Sequence, residues 1–510
     1  MSVTQPPHRD VDPDFRALSC GELAAAALDV ARRAGASHAD FRVQRLTTQS
    51  LNLRDGVVQS AVDGSEIGLA VRVVVDGTWG FASHSDLSVD AAAATARTAV
   101  DVAQALRSLN RERVELADEP VYANATWVSE YDVDPFHVPT RDKVELLTDY
   151  SARLRASDGV DHVTASVLQV KEQTYYADLA GSSITQQRVR LHPQLEATTV
   201  DTAAGAFETM RTLAPPVSRG WEYLGADSTW DWSDELTRIP GWLAEKVKSP
   251  SVVPGPTDLV IDPTNLWLTI HESIGHATEY DRAIGYEAAY AGTSFATPDQ
   301  LGTLKYGTDI MHVTADRTEV GGLSTIGYDD DGVAAQQWDL IRDGVLVGYQ
   351  LDRVFAPRLG LPRSNGCSYA DSAQHVPIQR MANVSLQPDP VVDRTIDDLV
   401  ASVDDGIYVV GDKSWSIDMQ RYNFQFTGQR FFRIRNGVLD GQVRDVAYQA
   451  TTTDFWGSMD LVGGVSTRRL GGAFNCGKAQ PGQVAAVSHG CPAAVFRGVN
   501  VLNTRSEAGQ

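Results

Sequence analysis

The stretch that decides the fold of this 510-residue chain is residues 262–281, which read DPTNLWLTIHESIGHATEYD. The pattern predicts a helix, because Asp262 suits the N-cap and Pro263 suits the first helical position, where no backbone N–H is needed. Leu266, Ile270 and other apolar residues recur at helical spacing, so one face of this helix is expected to be buried. We therefore expect the helix to lie in a core.

His271, Glu272 and His276 within this helix are similar to the helix of zinc proteases, in which two imidazoles bind zinc and a glutamate acts as general base. That helix places its histidines four residues apart, about 40° around the axis, whereas five residues correspond to about 140°. The two rings can share a metal only if the turn widens, as it does in a π-bulge, and Gly275 is a suitable place for it. The alternative is that these residues are ordinary core or surface residues.

The bulk composition excludes several functions. A formal net charge of -22 argues against nucleic acid or an anionic membrane as the main partner, since both need basic surfaces. The sequence contains no run of about 18 apolar residues, so no membrane span is predicted. It has no apolar segment near the N-terminus, so no signal peptide is predicted. The four cysteines are widely spread, which favours free thiols in a reducing cytoplasm. We therefore expect a cytoplasmic protein, in which one thiolate is free to bind a metal.

The predicted fold class is α+β, with N-terminal helix–antiparallel-strand units followed by a large, mainly antiparallel β domain that carries the histidine helix. The second unit has the same order of helix and strands as the first and is interpreted as a distant repeat. Turn signals such as Asn436-Gly437 indicate hairpins in the β domain. The predicted divisions are a disordered tail (1–13), an N-terminal α+β domain (14–110), a middle α+β domain with a linker (111–250) and a C-terminal domain (251–510).

Motifs in the first and last of these domains resemble the TldD/PmbA family of zinc metalloproteases. In chain order they are Leu53-Arg54-Asp55-Gly56, 68–72, 77–83, 271–281, 377–383, Gly406-Ile407-Tyr408 and Cys476-Gly477-Lys478. In that family, TldD-like members carry the HExxxH helix, whereas PmbA-like (TldE) members lack it and act as partner subunits. The resemblance is to the catalytic type, and the five-residue gap between histidines is the family's own pattern.

The resemblance implies one Zn²⁺ per chain, bound in the C-terminal domain by His271, His276 and Cys476, with Glu272 as the catalytic base. From the residues alone, Cys476 and Cys491 are equal candidates for a third ligand. Cys476 follows a glycine-rich run that allows the backbone to pass close to a site. The resemblance favours Cys476.

Other candidate site residues come from residue type and position. Arg380 and Asn383 are candidates for binding the substrate backbone or a carboxylate, with a structural ion pair as the alternative for the arginine. Glu279 and Asp281 are candidates for orienting a ligating imidazole, with a solvated acidic helix end as the alternative. Candidates for oxyanion stabilisation are His312, His375 and His489, although a lone histidine is more often structural.

The predicted function is zinc-dependent hydrolysis of peptide bonds in unfolded or modified peptides. A sheet-rich domain beside the metal suggests that the peptide adds as an extended strand and is read through its backbone. The resemblance implies a homodimer or a heterodimer with a PmbA/TldE-like subunit. Two alternatives stay open: a non-catalytic regulatory or scaffold subunit of a peptidase complex, and a zinc hydrolase of a non-peptide amide.

Overall fold

Helices make up the smaller part of the fold. The computed structural model describes residues 10–157, 159–201, 206–225, 228–480 and 482–507. The α-helices in these ranges are α1 (Pro13–Arg16), α2 (Cys20–Arg33), α3 (Val89–Leu106), α4 (Thr140–Arg155), α5 (Trp232–Lys248), α6 (Pro263–Ile270), α7 (Tyr280–Ala283), α8 (Ile396–Ala401), α9 (Thr452–Gly457) and α10 (Thr504–Glu507). None of these helices combines the length and apolarity needed to span a bilayer.

Strands make up the larger part of the fold. They are β1 (His38–Arg54), β2 (Val57–Val75), β3 (Thr78–His84), β4 (Ala125–Val128), β5 (His162–Asp178), β6 (Ser183–Asp201), β7 (Ala206–Arg211), β8 (Gly255–Ile261), β9 (Val313–Asp316), β10 (Gln337–Arg342), β11 (Val345–Leu346), β12 (Ser368–Tyr369), β13 (Ile378–Gln379), β14 (Asn383–Leu386), β15 (Asp405–Ile417), β16 (Asn423–Arg435), β17 (Val438–Val443), β18 (Val446–Thr451), β19 (Met459–Val462), β20 (Arg469–Lys478), β21 (Gln483–Cys491) and β22 (Ala494–Asn503). Most neighbouring strands run antiparallel, which confirms the predicted α+β class.

The N-terminal sheet has the strand order β3-β2-β1-β5-β6-β4, with β7 also paired to β6. Its long central strand β1 joins two hydrophobic cores because its alternate residues are apolar. Phe41 and Val43 pack in a core with α2 and α3. Leu51 and Leu53 pack in a second core with α4 and α5. The two helix pairs therefore cover opposite ends of one sheet.

The order helix–three strands–helix occurs twice in this region, as α2-β1-β2-β3-α3 and as α4-β5-β6-β7-α5. This agrees with the prediction of a second unit of the same kind. Strand β1 pairs directly with β5, from Asp40 opposite Asp178 to Arg54 opposite Thr164. The predicted N-terminal and middle domains thus share one continuous sheet, and their boundary at residue 110 stays a prediction.

The predicted N-terminal tail lies mostly outside the described residues, which begin at residue 10. Val11 is buried in the core with α2 and α3. The carboxylate of Asp12 accepts a hydrogen bond from Lys171 of β5. Residues 11 and 12 therefore contact the folded chain, in contrast to the disordered state expected for residues 1–13.

The C-terminal sheet has the strand order β15-β8-β22-β18-β16-β17, with β19 beside β22. Strand β15 also pairs with β16, which closes this sheet on itself. Helix α6 follows β8 directly, and the carboxylate of Asp262 accepts a hydrogen bond from the backbone N–H of Thr264. Leu266 and Ile270 lie in the large C-terminal core. The predicted N-cap, first-turn proline and buried face of this helix are all present.

A two-stranded hairpin, β20–β21, contacts α6. Strand β20 carries Cys476 and strand β21 carries His489. A second sheet, in the order β11-β10-β9-β14, lies behind the hairpin, because β14 contacts β21. The hairpin therefore brings residues from the end of the chain to the histidine helix.

Candidate metal centre

The last turn of the histidine helix is widened. Residues His271–Gly275 continue α6 as a π-helical turn. The backbone N–H of His276 donates to the carbonyl of His271 at 3.0 Å, five residues back. The ring centroids of the two histidines are consequently 4.7 Å apart. This is the distortion that the five-residue spacing predicts, and it brings both rings to one side of the helix.

The thiol of Cys476 reaches the two rings from β20. Its Sγ lies 3.4 Å from Nε2 of His276. The ligand atoms of His271, His276 and Cys476 all lie within 4.8 Å of one another, and all three residues are buried. Cys491, the other thiol considered above, is instead buried near the backbone of Pro263.

The donor set fits a zinc ion. Ordinary Zn–N and Zn–S bond lengths place a nitrogen and a sulfur ligand of one tetrahedral ion about 3.6 Å apart. The 3.4 Å separation between His276 and Cys476 is close to that value. Two imidazoles and one thiolate also leave one tetrahedral position for another ligand, as catalytic zinc sites do.

His271 is oriented by a chain of neutral groups. Its Nδ1 lies 2.8 Å from Nε2 of His489. The Nδ1 of His489 lies 2.8 Å from the carbonyl of Val384, which can only accept. Burial lowers the pKa of His489 well below its usual range, so its ring is neutral. His489 therefore carries its proton on Nδ1 and accepts on Nε2, so His271 donates from Nδ1 and keeps the lone pair on Nε2 for a metal. This places His489 behind the ligand rather than in an oxyanion site.

His276 is oriented by charged groups. Its Nδ1 lies 2.8 Å from Oε2 of Glu279, as expected for a residue that orients a ligand. Glu279 also accepts hydrogen bonds from Lys478 and Arg282. Asp281 accepts hydrogen bonds from Nζ of Lys478 at 2.8 Å and from the backbone N–H of Arg282 at 2.7 Å, so it shares both of these partners with Glu279. These side chains are almost fully buried.

The electrostatics favour the ligating forms of these residues. Burial lowers the pKa of both His271 and His276, so each imidazole favours its neutral, metal-binding form. Burial opposes ionisation of Cys476, but the neighbouring His276 and Arg380 outweigh it and lower the pKa of the thiol. The thiolate is the form that binds metals.

Glu272 lies in the π-helical turn and faces an arginine that the sequence did not identify. Its Oε2 accepts a hydrogen bond from Nη1 of Arg421 at 2.6 Å. Arg421 has a backbone φ of 62°, which is uncommon for a residue other than glycine and often marks functional sites. No pattern around Arg421 predicts this contact, because the two residues are 149 positions apart in the sequence.

Arg380 and Asn383 lie inside the protein, away from the cleft beside the histidines. Arg380 is buried, and its Nη2 donates to the carbonyl of Cys476, so it supports a predicted ligand through the backbone. The amide of Asn383 is fully buried and bonds to backbone groups of Ser324, Ser488 and Asp316. Neither side chain lines the cleft beside the histidines. In this structure both side chains therefore bind the protein itself, and their contact with substrate stays a prediction.

The remaining lone histidines also lie outside the cleft. The His375 ring pairs with Asp371 at 2.6 Å. The His312 ring lies 3.6 Å from Asp343. Neither residue lines the cleft, so their predicted role in oxyanion stabilisation has no support from their positions.

A cleft of ≈ 440 Å³ opens onto the three candidate ligands and Glu272. One wall comes from the N-terminal sheet and the chain that follows it, at residues 192–194 and 211–216. The other wall comes from α6 and from residues 470–477 of β20. Both halves of the chain therefore contribute to the same cleft.

Two glycines allow close packing at this site. A Cβ atom on Gly471 would lie 2.2 Å from Cγ of Trp267, so the glycine-rich part of β20 can lie directly against α6. A Cβ atom on Gly275 would lie 2.6 Å from Sδ of Met381. The missing side chain at Gly275 thus makes room for a neighbour, in addition to easing the wide turn predicted there.

Two models of the PmbA/TldA metallopeptidase family match the chain. The C-terminal domain model matches residues 254–503, and the domain 1 model matches residues 39–103. Together they cover more than half of the sequence. The chain belongs to the PmbA/TldD metallopeptidase family. The candidate metal centre lies entirely within the segment matched by the C-terminal domain model.

Individual relatives extend the similarity over most of the chain. A Methanothermobacter thermautotrophicus protein named metalloprotease is 29% identical over 468 residues, which are 92% of this chain and 96% of that protein. A Saccharolobus solfataricus protein named zinc metalloprotease TldD homolog is 21% identical over 233 residues, which are 46% of this chain and 49% of that protein. Family members that are named for their chemistry are thus named as metal-dependent proteases.

Solved structures share the PmbA/TldD fold with this chain. A candidate modulator of a DNA gyrase from Thermotoga maritima superimposes with a TM-score of 0.73 at 14% identity and covers 94% of this chain and 100% of its own. TldE from Thermococcus kodakarensis superimposes with a TM-score of 0.69 at 14% identity and covers 93% of this chain and 99% of its own. At this identity the match concerns the fold alone.

Proposed function

We propose that this chain is a catalytic, TldD-like member of the family, a zinc-dependent peptidase that hydrolyses peptide bonds of unfolded or modified peptides. The observation that carries this proposal is the convergence of His271, His276 and Cys476 beside Glu272. A scaffold subunit does not need two oriented imidazoles, a thiol with a lowered pKa and an acid in one cleft. The donor set therefore favours catalysis over a purely structural role.

The site has the residues that metal-assisted hydrolysis requires. When bound by His271, His276 and Cys476, zinc polarises the scissile carbonyl and makes water a stronger nucleophile at neutral pH. Glu272 takes a proton from the attacking water and gives it to the leaving amine. Its carboxylate borders the cleft, where a peptide and a water molecule can reach it.

The cleft favours an extended peptide as substrate. Its volume of ≈ 440 Å³ is within the range of ordinary ligand sites. Among the described strands, β20 pairs only with β21, and residues 470–477 of β20 line the cleft. A peptide can add to the other edge of β20 through backbone hydrogen bonds. Such binding reads little side-chain information and selects chains that are already unfolded.

The proposed partner is a PmbA/TldE-like subunit or a second copy of this chain. The structural match to TldE supports a partner built on the same fold. A subunit of this shape could cover the open side of the cleft and restrict it to peptides that can thread into it. We propose one zinc per chain, because the described residues offer one group of metal-ligating side chains.

Metal analysis and peptide cleavage test this function together. Wild type, Glu272→Gln and His276→Ala are purified with and without a PmbA-like subunit, and each is incubated with reduced, carboxymethylated casein. We expect chelator-sensitive cleavage by the wild type. Glu272→Gln should keep about one zinc per chain and lose about 10²–10⁴-fold in rate, whereas His276→Ala should lose the zinc as well.

Glu112→Gln is the matched control, because Glu112 is exposed and forms a surface ion pair with Arg358. It should retain both zinc and cleavage. A wild type that binds no metal would favour the scaffold subunit. A wild type that binds zinc but cleaves no peptide in either state would favour a zinc hydrolase of a non-peptide amide.

A further inference from the structure

Arg421 is held at two points beside the proposed catalytic base. Its Nη1 donates to Oε2 of Glu272 at 2.6 Å, and its Nη2 donates to the carbonyl of Ala291 at 3.2 Å. The side chains of Arg421 and Glu272 are only 13% and 7% exposed. A buried carboxylate strongly favours a paired state, so this contact decides where the Glu272 carboxylate lies.

The carbonyl of Ala291 also joins the base to a metal ligand. It accepts a second hydrogen bond, from Nη1 of Arg282 at 2.6 Å. Arg282 in turn donates to Glu279, which bonds to the ring of His276. Two arginines thus meet at one backbone oxygen, one supporting Glu272 and the other supporting His276. The supports of Glu272 and His276 therefore share one backbone acceptor.

The backbone around Arg421 is built to hold this position. Oδ1 of Asp418 accepts hydrogen bonds from the backbone N–H groups of Gln420 and Tyr422, on either side of Arg421. The hydroxyl of Thr452 donates to the carbonyl of Arg421. A left-handed backbone is strained at an arginine, so these hydrogen bonds hold the turn in a conformation that directs this side chain to Glu272.

The geometry points to Arg421 as a positioning residue that holds the carboxylate of Glu272 in its working orientation. The Ala291 carbonyl, which binds Arg421, sets the distance of that carboxylate from the metal ligands. This inference rests on the proposed function, in which Glu272 is the base. Misplacing a reacting group by about 1 Å can lower a rate by about 10²-fold. Arg421 acts through Glu272, so its loss should change the rate of reaction more than the binding of substrate.

Kinetics of Arg421→Ala and Arg421→Lys test the inference. For Arg421→Ala we expect kcat to fall about 100-fold, with KM and zinc content within about twofold of wild type. Added methylguanidine should restore at least part of kcat in Arg421→Ala. The kcat of Arg421→Lys should lie between those of Arg421→Ala and the wild type. Arg394→Ala, which breaks a partly buried ion pair with Asp389, is the control and should keep full activity.

A rise in KM at unchanged kcat would overturn the inference, because it would mean that Arg421 binds substrate. Loss of zinc, or a rate loss that neither lysine nor methylguanidine repairs, would overturn it as well, because it would indicate a general structural role. Unchanged kinetics in Arg421→Ala would overturn it directly.

Crystal structures of wild type and Arg421→Ala give a readout that does not depend on activity. We expect the Glu272 carboxylate in one conformation in the wild type, and displaced or in several conformations in the variant. A Glu272 side chain that stays in place without Arg421 would overturn the inference. If the wild type cleaves no peptide, the proposed function fails, and this comparison still decides whether Arg421 positions Glu272.

Two glycines in the loop before Ser294 provide a matched pair. A Cβ atom on Gly292 would lie 2.0 Å from the carbonyl oxygen of Met419, in the turn that carries Arg421, whereas nothing lies within 4 Å of one on Gly285. Both have positive φ, 86° and 93°, so alanine strains both backbones. Gly292→Ala should lower kcat at least about tenfold and Gly285→Ala less than about twofold. Equal effects would overturn the role of this loop.

Discussion

The two histidines of the candidate metal centre are supported in opposite ways. His271 is held by neutral groups: its Nδ1 bonds to His489, which in turn bonds to the carbonyl of Val384. His276 is held by charged groups: its Nδ1 bonds to Glu279, which in turn bonds to Lys478 and Arg282. Both arrangements leave Nε2 free, but only the second depends on buried ions.

This difference teaches that one outcome, a fixed tautomer, can be reached at very different electrostatic cost. A neutral imidazole chain adds no net charge behind the ligand. An ionised carboxylate behind the ligand makes its ring a stronger donor, but it needs cations to stay ionised in a buried place. Burial opposes the charge on Glu279, and Lys478, His276 and Arg282 together hold the pKa of its carboxyl well below the usual range. Breaking the charged support should therefore cost more than breaking the neutral one.

The largest of these effects is expected for Glu279→Gln. The amide keeps the shape of the carboxylate but removes its charge from His276 and Lys478. We expect zinc affinity to fall about 10–100-fold and the free energy of unfolding to fall by an amount near the lower end of about 3–5 kcal/mol, because Lys478 keeps Asp281 as a partner. Competition with a chelating dye and urea unfolding measure the two quantities. A zinc affinity equal to that of the wild type would mean that the charged groups beside His276 do not strengthen zinc binding.

A smaller effect is expected for His489→Phe. The rings of Trp267 and His489 are stacked, 9° from parallel, and a phenyl ring can keep this stacking. It leaves Nδ1 of His271 without an acceptor. We expect about a tenfold loss of zinc affinity and a loss of about 1–3 kcal/mol in the free energy of unfolding. His489→Gln restores an acceptor oxygen and should recover most of the affinity. An effect of His489→Phe larger than that of Glu279→Gln would reverse the ranking.

The smallest effect concerns Asp352, a buried acid that senses the charge of Asp281, one of the charged groups around Glu279. Burial and the charge of Asp331 raise the pKa of its carboxyl to about 7. A raised pKa in the folded state means that this group stabilises the protein fully below pH 3.8 and that the contribution is lost as the pH rises towards 7. Asp352→Asn keeps the acceptor for the backbone N–H groups of Val354 and Phe355.

Relative to wild type, Asp352→Asn should therefore gain stability as the pH rises, by about 1 kcal/mol or more between pH 5 and pH 8. Denaturant unfolding at the two pH values measures this difference. Asp440→Asn, at an exposed position, should show none. A difference of the opposite sign would mean that Asp352 is ionised in the folded protein and belongs to the charged support.

Much of the site follows from local rules. Asp262 and Pro263 mark the start of the helix because capping is a matter of neighbouring residues. The five-residue spacing of His271 and His276 already requires a widened turn, because helix geometry is regular. Cys476 was favoured through a resemblance, since its distance along the chain from His276 carries no geometric information of its own.

The surroundings of other residues could not be predicted, because a single position in the sequence does not show whether its side chain is buried. Arg380 and Asn383 have polar side chains that suit a substrate, yet both are enclosed and bonded to the protein. Arg421 and His489 were missed as partners of Glu272 and His271 because those contacts join segments far apart in the sequence. Such contacts depend on how strands pair and on which loops meet.

The sequence by itself determined the elements: the capped helix with its wide turn, the long alternating strands, the hairpin turns and the residue types suited to zinc. These depend on interactions between residues a few positions apart. Only the tertiary structure decided which strands share a sheet, which buried charges balance one another and which side chains stand behind each histidine. Those features depend on packing between distant segments, where many arrangements satisfy the same local pattern and only one buries every apolar face and pairs the buried charges.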